Sequence, residues 1–181
     1  MNTATKNLED DHVHILKLID VMNRIIGSDR PDVGHLESIV EIIRNFADGL
    51  HHAKEENQYF PFLVKRGFSL TQGPVAVMLN EHERGREYVK EISDNIPLYK
   101  NGNMAALGNI YRNMASYAEL LRNHISKENN ILFRMADNAL SEADQQELLR
   151  LFAKAESNYS SGLSSSAYIE RIEKLASAYG I

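Results

Sequence analysis

Four of the seven histidines in this 181-residue sequence fall on the apolar faces of helix-like segments. They are His12, His51, His82 and His124. Two of them are followed four residues later by a glutamate, at Glu55 and Glu128. Residues at i and i+4 on a helix are neighbours, with Cβ atoms roughly 5–6 Å apart. An imidazole and a carboxylate with this spacing reach one metal ion, or the carboxylate bridges to a second ion.

The two His-x-x-x-Glu pairs also share their sequence context, because a phenylalanine follows each glutamate by five residues, at Phe60 and Phe133. A single pair of this kind is usually a stabilising contact on a helix surface. A lone histidine is usually exposed or a satisfied core group. The joint pattern of four histidines and a duplicated pair instead predicts a dinuclear carboxylate site inside a helical bundle.

The energetic argument for metal rests on the glutamates. A buried ionised carboxylate costs several kcal/mol unless it is paired with a cation. Two ions roughly 3.5–4 Å apart, bridged by both carboxylates, remove that cost. Imidazole nitrogen and carboxylate oxygen without sulfur suit iron, manganese or zinc rather than Cu(I).

Apolar spacing of three and four residues predicts four long helices and no strand. Their predicted ranges are Thr5 to Ile26, Val33 to Lys65, Pro74 to Ile96 and Met104 to Asn138. Ile131 and Met135 continue the apolar face of the last helix, and Tyr59 and Phe62 continue that of the second. Ile96-Pro97 is predicted to begin a loop. Four such helices with short connections predict an all-α, up-down-up-down four-helix bundle.

Two shorter helices are predicted to follow the bundle. Ser141 with Asp144 has the spacing of a capping box before an apolar stripe, and the serine-rich run 160–166 breaks the chain before a last stripe. We therefore divide the chain into a bundle at residues 1–138 and a helical C-terminal extension at residues 139–181, packed on the bundle. A flexible appendage is the alternative for the extension.

Composition excludes several classes of function. The net charge of −5 and the lack of a dense Lys/Arg run disfavour a nucleic-acid partner. The absence of cysteine excludes disulfides, thiolate catalysis and iron–sulfur clusters. The polar N-terminus, Met1 to Asp11, has no signal-peptide core, and no apolar run approaches the roughly 18 residues of a membrane span. These features predict a cytoplasmic protein without a membrane partner, and they leave the oligomeric state open.

At these histidines and glutamates the sequence resembles the hemerythrin-like (HHE) cation-binding family over about residues 5 to 138. The shared order is His, His-x-x-x-Glu, His, His-x-x-x-Glu, with one element on each helix. The resemblance implies two iron ions (Fe²⁺ or Fe³⁺) with a bridging oxide, hydroxide or water, and it leaves manganese or zinc open. It also implies roles for the residues: Glu55 and Glu128 bridge the irons, His12 and His51 bind one iron, and His82 and His124 bind the other.

Two departures from oxygen-carrying members bear on function. Those proteins place two histidines four apart on the third helix, whereas here His82 is followed by Arg86. Their fourth helix uses aspartate five residues after the histidine, whereas here Glu128 stands at four. These departures open one coordination position and argue against reversible oxygen carriage.

A further candidate ligand is His52, which directly follows His51. In one interpretation it is a third ligand to the first iron. In the other it points about 100° around the helix and misses the metal. We expect His14 and His35 to be surface residues. Glu81, beside His82, has two interpretations: it lines the entry to the site or orients a ligand, or it is a solvated surface carboxylate, which we expect.

These features support two functional hypotheses. In the first, the protein binds or reacts with O2, NO or peroxide at the di-iron site, including peroxide disproportionation of a catalase or peroxidase kind. In the alternative, it is an iron-responsive regulatory or iron-handling module without turnover. Iron handling in this family is usually linked to a cysteine-bearing segment, which this chain lacks.

Overall fold

The computed structural model describes residues 3–160 and 162–181, and within these residues the chain is all-α, as predicted. The N-terminal tip, Met1 and Asn2, and one position of the predicted chain break, Ser161, lie outside the described residues. The described part contains six helices: α1 (Ala4–Ile25), α2 (residues 33–65), α3 (Gly73–Lys100), α4 (residues 104–139), α5 (Glu142–Ser157) and α6 (Ser165–Ala178). None of them is long and apolar enough to cross a membrane.

Helices α2 and α4 are not uniform α-helices, because both contain π-helical turns. Helix α2 runs through α-helical Val33–Ile42, π-helical Ile43–His52, π-helical Glu55–Tyr59 and α-helical Phe60–Lys65. Helix α4 runs through α-helical Met104–Lys127, π-helical Glu128–Leu132 and α-helical Phe133–Ala139. The shorter π turns begin at Glu55 and Glu128, whose carbonyls accept from the amides of Phe60 and Phe133, five residues later. Such turns frequently occur at functional sites.

Each of these short π turns shifts the apolar face of its helix by one residue. In α4 the buried residues after the turn are Leu132 and Ala136, whereas Ile131 and Met135 are 52% and 44% exposed. The prediction that Ile131 and Met135 continue the core face is therefore wrong. It assumed an unbroken period of 3.6 residues, and the wider turn at Glu128 breaks that period. The same shift in α2 buries Leu63 in place of the predicted Phe62, which is only half-buried.

Two glycines end the long helices at the bundle's tight turns. Gly67 and Gly102 have φ values of +93° and +92°, in the left-handed region that glycine adopts without strain. The amide after Gly102 donates to the carbonyl of Leu98 at 3.0 Å, which is the Schellman closure of a helix end. Helix α3 therefore continues through Pro97 to Lys100, and the predicted loop at Ile96-Pro97 is wrong.

Two apolar clusters fill the ends of the bundle and leave a polar layer between them. One cluster is built around Met22, Phe46 and Met114, and the other around Leu8 and Phe133. The predicted ligand residues on each long helix lie in sequence between members of the two clusters. The apolar ends therefore position the polar layer and shield it from water.

The two C-terminal helices pack against the bundle, one on each apolar cluster. Helix α5 buries Leu148 and Phe152 in one cluster, and α6 buries Tyr168 and Ile172 in the other. The capping box predicted at the start of α5 is present, with Ser141 and Asp144 each accepting from the other's amide.

The register shift in α4 predicts that, of two adjacent substitutions, one lowers the free energy of unfolding and the other hardly changes it. Leu132→Ala removes a buried side chain and should lower the free energy of unfolding by about 2–5 kcal/mol. Ile131→Ala changes an exposed position and should alter it by less than about 0.5 kcal/mol. Urea denaturation of the metal-free variants measures both values. A larger loss for Ile131→Ala than for Leu132→Ala would show that α4 lacks the π turn.

Candidate metal centre

The polar layer contains five histidines and two glutamates, all buried. The four predicted histidines, His12, His51, His82 and His124, are each 1% exposed, and His52 is 5% exposed. Glu55 and Glu128 are 0% exposed. All seven residues predicted from the sequence therefore lie in one buried layer, contributed by the four long helices.

Their ligand atoms form two groups that share one glutamate. The first group is His12, His51, Glu55 and Glu128, and the second group is His52, Glu55, His82 and His124. Within each group the ligand atoms all lie within 4.8 Å of one another, close enough to surround one ion. Two adjoining cation positions with a common carboxylate are the arrangement of a dinuclear site.

Both glutamates face histidines of both groups. Glu55 places Oε1 3.7 Å from His51 Nε2 and Oε2 3.5 Å from His82 Nε2, so one oxygen points to each group. Glu128 Oε2 lies 3.2 Å from His12 Nε2 and 3.3 Å from His124 Nε2. Each carboxylate thus spans the boundary between the two groups.

His52 belongs to the second group, whereas one of the two interpretations of the sequence placed it with the first. Its ring stacks on that of His82 with the centroids 3.8 Å apart. Successive residues of a helix point in directions about 100° apart. Because His51 faces α1, this angle does not carry His52 out of the layer but turns it toward α3. The position left open by Arg86 on α3 therefore has an imidazole supplied by α2.

Every histidine of the layer is held by an oxygen acceptor at Nδ1. The contacts are His12 with Asn129 at 2.7 Å, His51 with Asp11 at 3.2 Å, His52 with Asp48 at 3.3 Å, His82 with Glu56 at 2.6 Å, and His124 with Glu81 at 3.1 Å. Because these oxygens accept, Nδ1 carries a proton and Nε2 faces inward. Outer acceptors of this kind orient metal-bound histidines and raise their basicity.

In each half of the site, a lysine donates to one of these oxygen acceptors and holds it in position. Lys54 is 1% exposed, and its Nζ donates to Asp11 at 2.6 Å and to Glu156 of α5 at 3.0 Å. Lys127 makes the corresponding contact with Glu81. The C-terminal extension therefore reaches the site through Glu156, which is linked to His51 by way of Lys54 and Asp11.

Arg86 joins two further acceptors. Its guanidinium donates to Asp48 at 3.0 Å and to Glu56 at 2.6 Å, and these two carboxylates hold His52 and His82. Arg86 stands where oxygen-carrying members of the family have a histidine. It thus orients two candidate ligands instead of supplying one.

These contacts follow an internal sequence repeat that relates the two halves of the bundle. Asp11-His12 corresponds to Glu81-His82, and each is an acidic residue followed by histidine. His-x-x-Lys-Glu occurs at residues 51–55 and again at 124–128. In both halves the lysine holds the acidic residue, which in turn holds the histidine of the same five-residue motif. The outer acceptors were missed from the sequence, and this repeat is the signal that would have found them.

Three other expectations from the sequence are corrected. Glu81 is not a solvated surface carboxylate, because its side chain is only 11% exposed and accepts from His124. His14 and His35 are half-buried and not surface residues. His35 Nδ1 contacts the hydroxyl of Tyr179 at 2.8 Å, so the start of α2 is packed against the chain's last helix.

Burial and mutual repulsion set the charges of the site without metal. Burial lowers the pKa of His51 to about 3 and that of His82 to about 3. Burial and the neighbouring Glu128 raise the pKa of Glu55 well above its usual value. Burial also opposes protonation of His124, but the Glu128 and Glu81 carboxylates outweigh it and raise that pKa to about 9. In the absence of cations, protons on Glu55 and His124 therefore balance part of the buried charge.

The site contains buried acceptors for which the described residues provide no donor. Neither oxygen of Glu55 or Glu128 has a hydrogen-bond partner in the described part of the chain, and neither does His52 Nε2. His12 Nε2 lies 3.1 Å from His51 Nε2, and His82 Nε2 lies 3.2 Å from His124 Nε2. An unsatisfied buried acceptor is costly. A cation in each group would satisfy these atoms together, so the residues fit metal.

A cavity of about 130 Å³ lies beside the second group, between α2, α3 and α4. Its walls include the three histidines of the second group, but neither His12 nor His51. The apolar part of its lining is Ile43, Gly85, Val89, Tyr117, Leu120 and Leu121. One of the two cation positions is therefore open to a small molecule, and the other is enclosed.

Fold and site together define a helical bundle that binds metal through histidine and carboxylate. Residues 3–136 match the family model of the hemerythrin HHE cation binding domain. This match covers more than half of the chain, and the chain belongs to that family, as the resemblance in sequence predicted. Searches of the curated proteins and of the solved structures gave no match.

The protonation of Glu55 and His124 predicts that metal uptake releases protons. Ligands must be deprotonated to bind, so a metal ion has to displace the proton of His124 and that of Glu55. Metal affinity should therefore rise as the pH increases from 6.5 toward the raised pKa of His124, about 9. Calorimetric titration with Zn²⁺ in buffers of different ionisation enthalpy measures the protons released.

Glu81→Gln is the matched control for this titration. It keeps every inner residue of the two groups but removes one of the carboxylates that raise the pKa of His124. Fewer protons should be released near pH 8, and the pH dependence should be weaker. A binding heat that does not depend on the buffer would contradict the assigned protonation.

Proposed function

We propose that this chain is a non-heme di-iron protein that binds or reacts with O2, NO or peroxide. Glu55 and Glu128 would bridge the two ions. His12 and His51 would bind one ion, and His82, His124 and His52 would bind the other.

The observation that carries the proposal is the pairing of inward-facing Nε2 atoms around shared carboxylates. In the pair His12 and His51, each Nδ1 already donates to an oxygen, and the two Nε2 atoms are 3.1 Å apart. Two neutral imidazoles in this arrangement turn lone pairs toward each other. The Nε2 atoms of His82 and His124 face each other in the same way, and the proton of His124 would be displaced when metal binds. This repetition supports two cations rather than one.

The donor set supports iron as the metal. Five imidazoles and two carboxylates, without sulfur, suit iron, manganese or zinc. Of these metals, zinc has no redox chemistry, whereas iron pairs and manganese pairs both supply electrons for reducing a small oxidant. Iron is the metal that the family resemblance implies. Manganese or zinc as the native metal is an outcome of the elemental analysis below.

The chain's own residues orient the imidazoles, exclude water and control access to the site. The outer acceptors, such as Asp11 and Glu56, hold the imidazole rings in place. The apolar clusters above and below the layer exclude water. The cavity beside His52 gives a small ligand access to the second group only.

The proposal predicts two irons per chain after anaerobic reconstitution, and an absorption band in the near ultraviolet that the metal-free protein lacks. Glu55→Ala should lower iron affinity at both positions by roughly tenfold or more, because this residue is common to both groups. His51→Ala should affect mainly the first group. Elemental analysis and absorption spectra, recorded before and after adding O2, NO and peroxide, measure these effects.

His14→Ala and His35→Ala are matched controls, because both histidines lie outside the two groups. They should retain wild-type iron content. Reconstituted wild-type protein without iron would contradict the proposal, as would equal losses in the control variants.

A second candidate function, an iron-responsive regulatory module, is favoured by one contact. Glu156 of α5 lies 3.0 Å from Lys54 Nζ, and Lys54 in turn holds the acceptor of His51. A cation in the first group would fix His51 and, through this chain of contacts, the position of α5. A partner protein would then recognise whether the C-terminal extension is ordered.

This candidate predicts that iron slows hydrogen exchange in residues 142–157. Glu156→Gln should reduce that added protection, because it weakens the link to Lys54. Glu147→Gln is the control, since Glu147 pairs only with Arg150 on its own helix. Exchange in α5 that is the same with and without iron would exclude the regulatory function.

A further inference from the structure

The cavity beside the second group is much larger than a diatomic ligand needs. A cavity of roughly 10–15 Å³ on the same scale holds one water molecule, and one of about 150 Å³ holds benzene. The cavity here measures about 130 Å³. O2 or NO would therefore leave most of it unfilled.

Its lining has three parts: a floor of imidazoles, apolar walls, and a set of charged side chains, which are Arg44, Asp48, Glu81, Arg86 and Lys90. The floor is formed by the imidazoles of His52, His82 and His124. The walls include Ile43, Val89 and Leu121, which are 2%, 4% and 4% exposed, so they are shielded from bulk solvent. A ligand that fits the floor and the apolar walls has an apolar body and one small polar end.

Gly85 determines how much room the cavity has. A Cβ added at Gly85 would lie 3.5 Å from Tyr117 Cε2 and 4.0 Å from Leu120 Cδ2. Both of these side chains line the cavity. A longer side chain at this position would therefore occupy the space between α3 and α4.

Tyr117 adds a polar group to the apolar wall. Its residue is 2% exposed and lines the cavity, and its hydroxyl makes no hydrogen bond within the described ranges. A neutral phenol in this position is a donor available to an oxygen of the ligand.

We propose that the cavity binds the carbon part of an organic hydroperoxide, with an alkyl or aryl group of up to about the size of benzene, beside the second group. This inference rests on the proposed function. Among the ligands considered there, O2 and NO carry no further atoms, and only a peroxide carries a substituent that fills the apolar space.

The test uses the metal-free protein and two alcohols that represent the carbon part of such a hydroperoxide, tert-butanol and cyclohexanol. Methyl NMR should show saturable shifts at Ile43, Val89 and Leu121 with either alcohol. Diphenylmethanol, which exceeds the cavity, should produce none. Absence of shifts with both small alcohols would overturn the proposal.

Substitutions at Gly85 distinguish the cavity from surface adsorption. Gly85→Leu should fill the space and weaken binding of cyclohexanol at least tenfold, whereas Gly85→Ala should weaken it less. Gly108→Leu is the control for a leucine placed in a helix, because an added Cβ there meets no atom within 4 Å. Unchanged binding in Gly85→Leu would overturn the proposal. Should that variant not fold, Leu121→Phe fills the same cavity and is expected to weaken binding in the same way.

Tyr117→Phe tests the polar contact while keeping the shape of the wall. It should weaken the alcohols severalfold, and benzene not at all. Tyr59→Phe is the matched control, because the Tyr59 hydroxyl contacts Thr5 and does not line the cavity. Equal losses for benzene and the alcohols would overturn the assignment of Tyr117 as donor.

The design separates failure of this proposal from failure of the proposed function. Binding of the alcohols requires no metal, so its absence in a protein that holds two irons rejects only the organic ligand. Alcohol binding by a chain that takes up no iron rejects only the di-iron function.

Discussion

The structure depends on a group of buried acceptors that face one another. Each imidazole of the layer directs Nδ1 to an outer oxygen, so five Nε2 atoms and two carboxylates converge where water is excluded. Such an arrangement is unfavourable by itself, because unpaired buried acceptors and charges are costly. The surrounding apolar clusters, the buried Lys54 and the Arg86 bridge hold the groups in place despite that cost. The packing of the bundle therefore offsets the cost of holding these acceptors close together, in position for cations.

The sequence predicted much of this layer, because its inner residues obey simple helical spacing. His12, His82 and the two His-x-x-x-Glu pairs stand on apolar faces, so periodicity alone brings them together. Spacing along one helix does not determine which neighbouring helix a residue faces, and one interpretation of the sequence therefore placed His52 with the wrong group. Asp11 and Lys54 look like ordinary surface charges in the sequence. Only the packing of α1 and α5 around α2 buries them.

The errors in the fold have one main physical origin. Periodicity with 3.6 residues per turn cannot represent a wider turn. Ile131 and Met135 were placed in the core for this reason, although the turn at Glu128 rotates them to the surface. The same wide turns give Glu55 and Glu128 their positions at the boundary between the groups. The departure from regular geometry and the shared carboxylates therefore occur at the same residues.

The two groups differ where the internal repeat fails. Ile125 stands in the second half where the first half has His52, and of the two groups only the second borders the cavity.

The order of the ligands along the chain has a consequence for biosynthesis. The first group needs Glu128 and the second needs His124, and both residues lie on α4. Neither group is complete while the ribosome is still making the first three helices. The complete set of ligands for either cation would therefore form only once α4 has packed against the other three long helices.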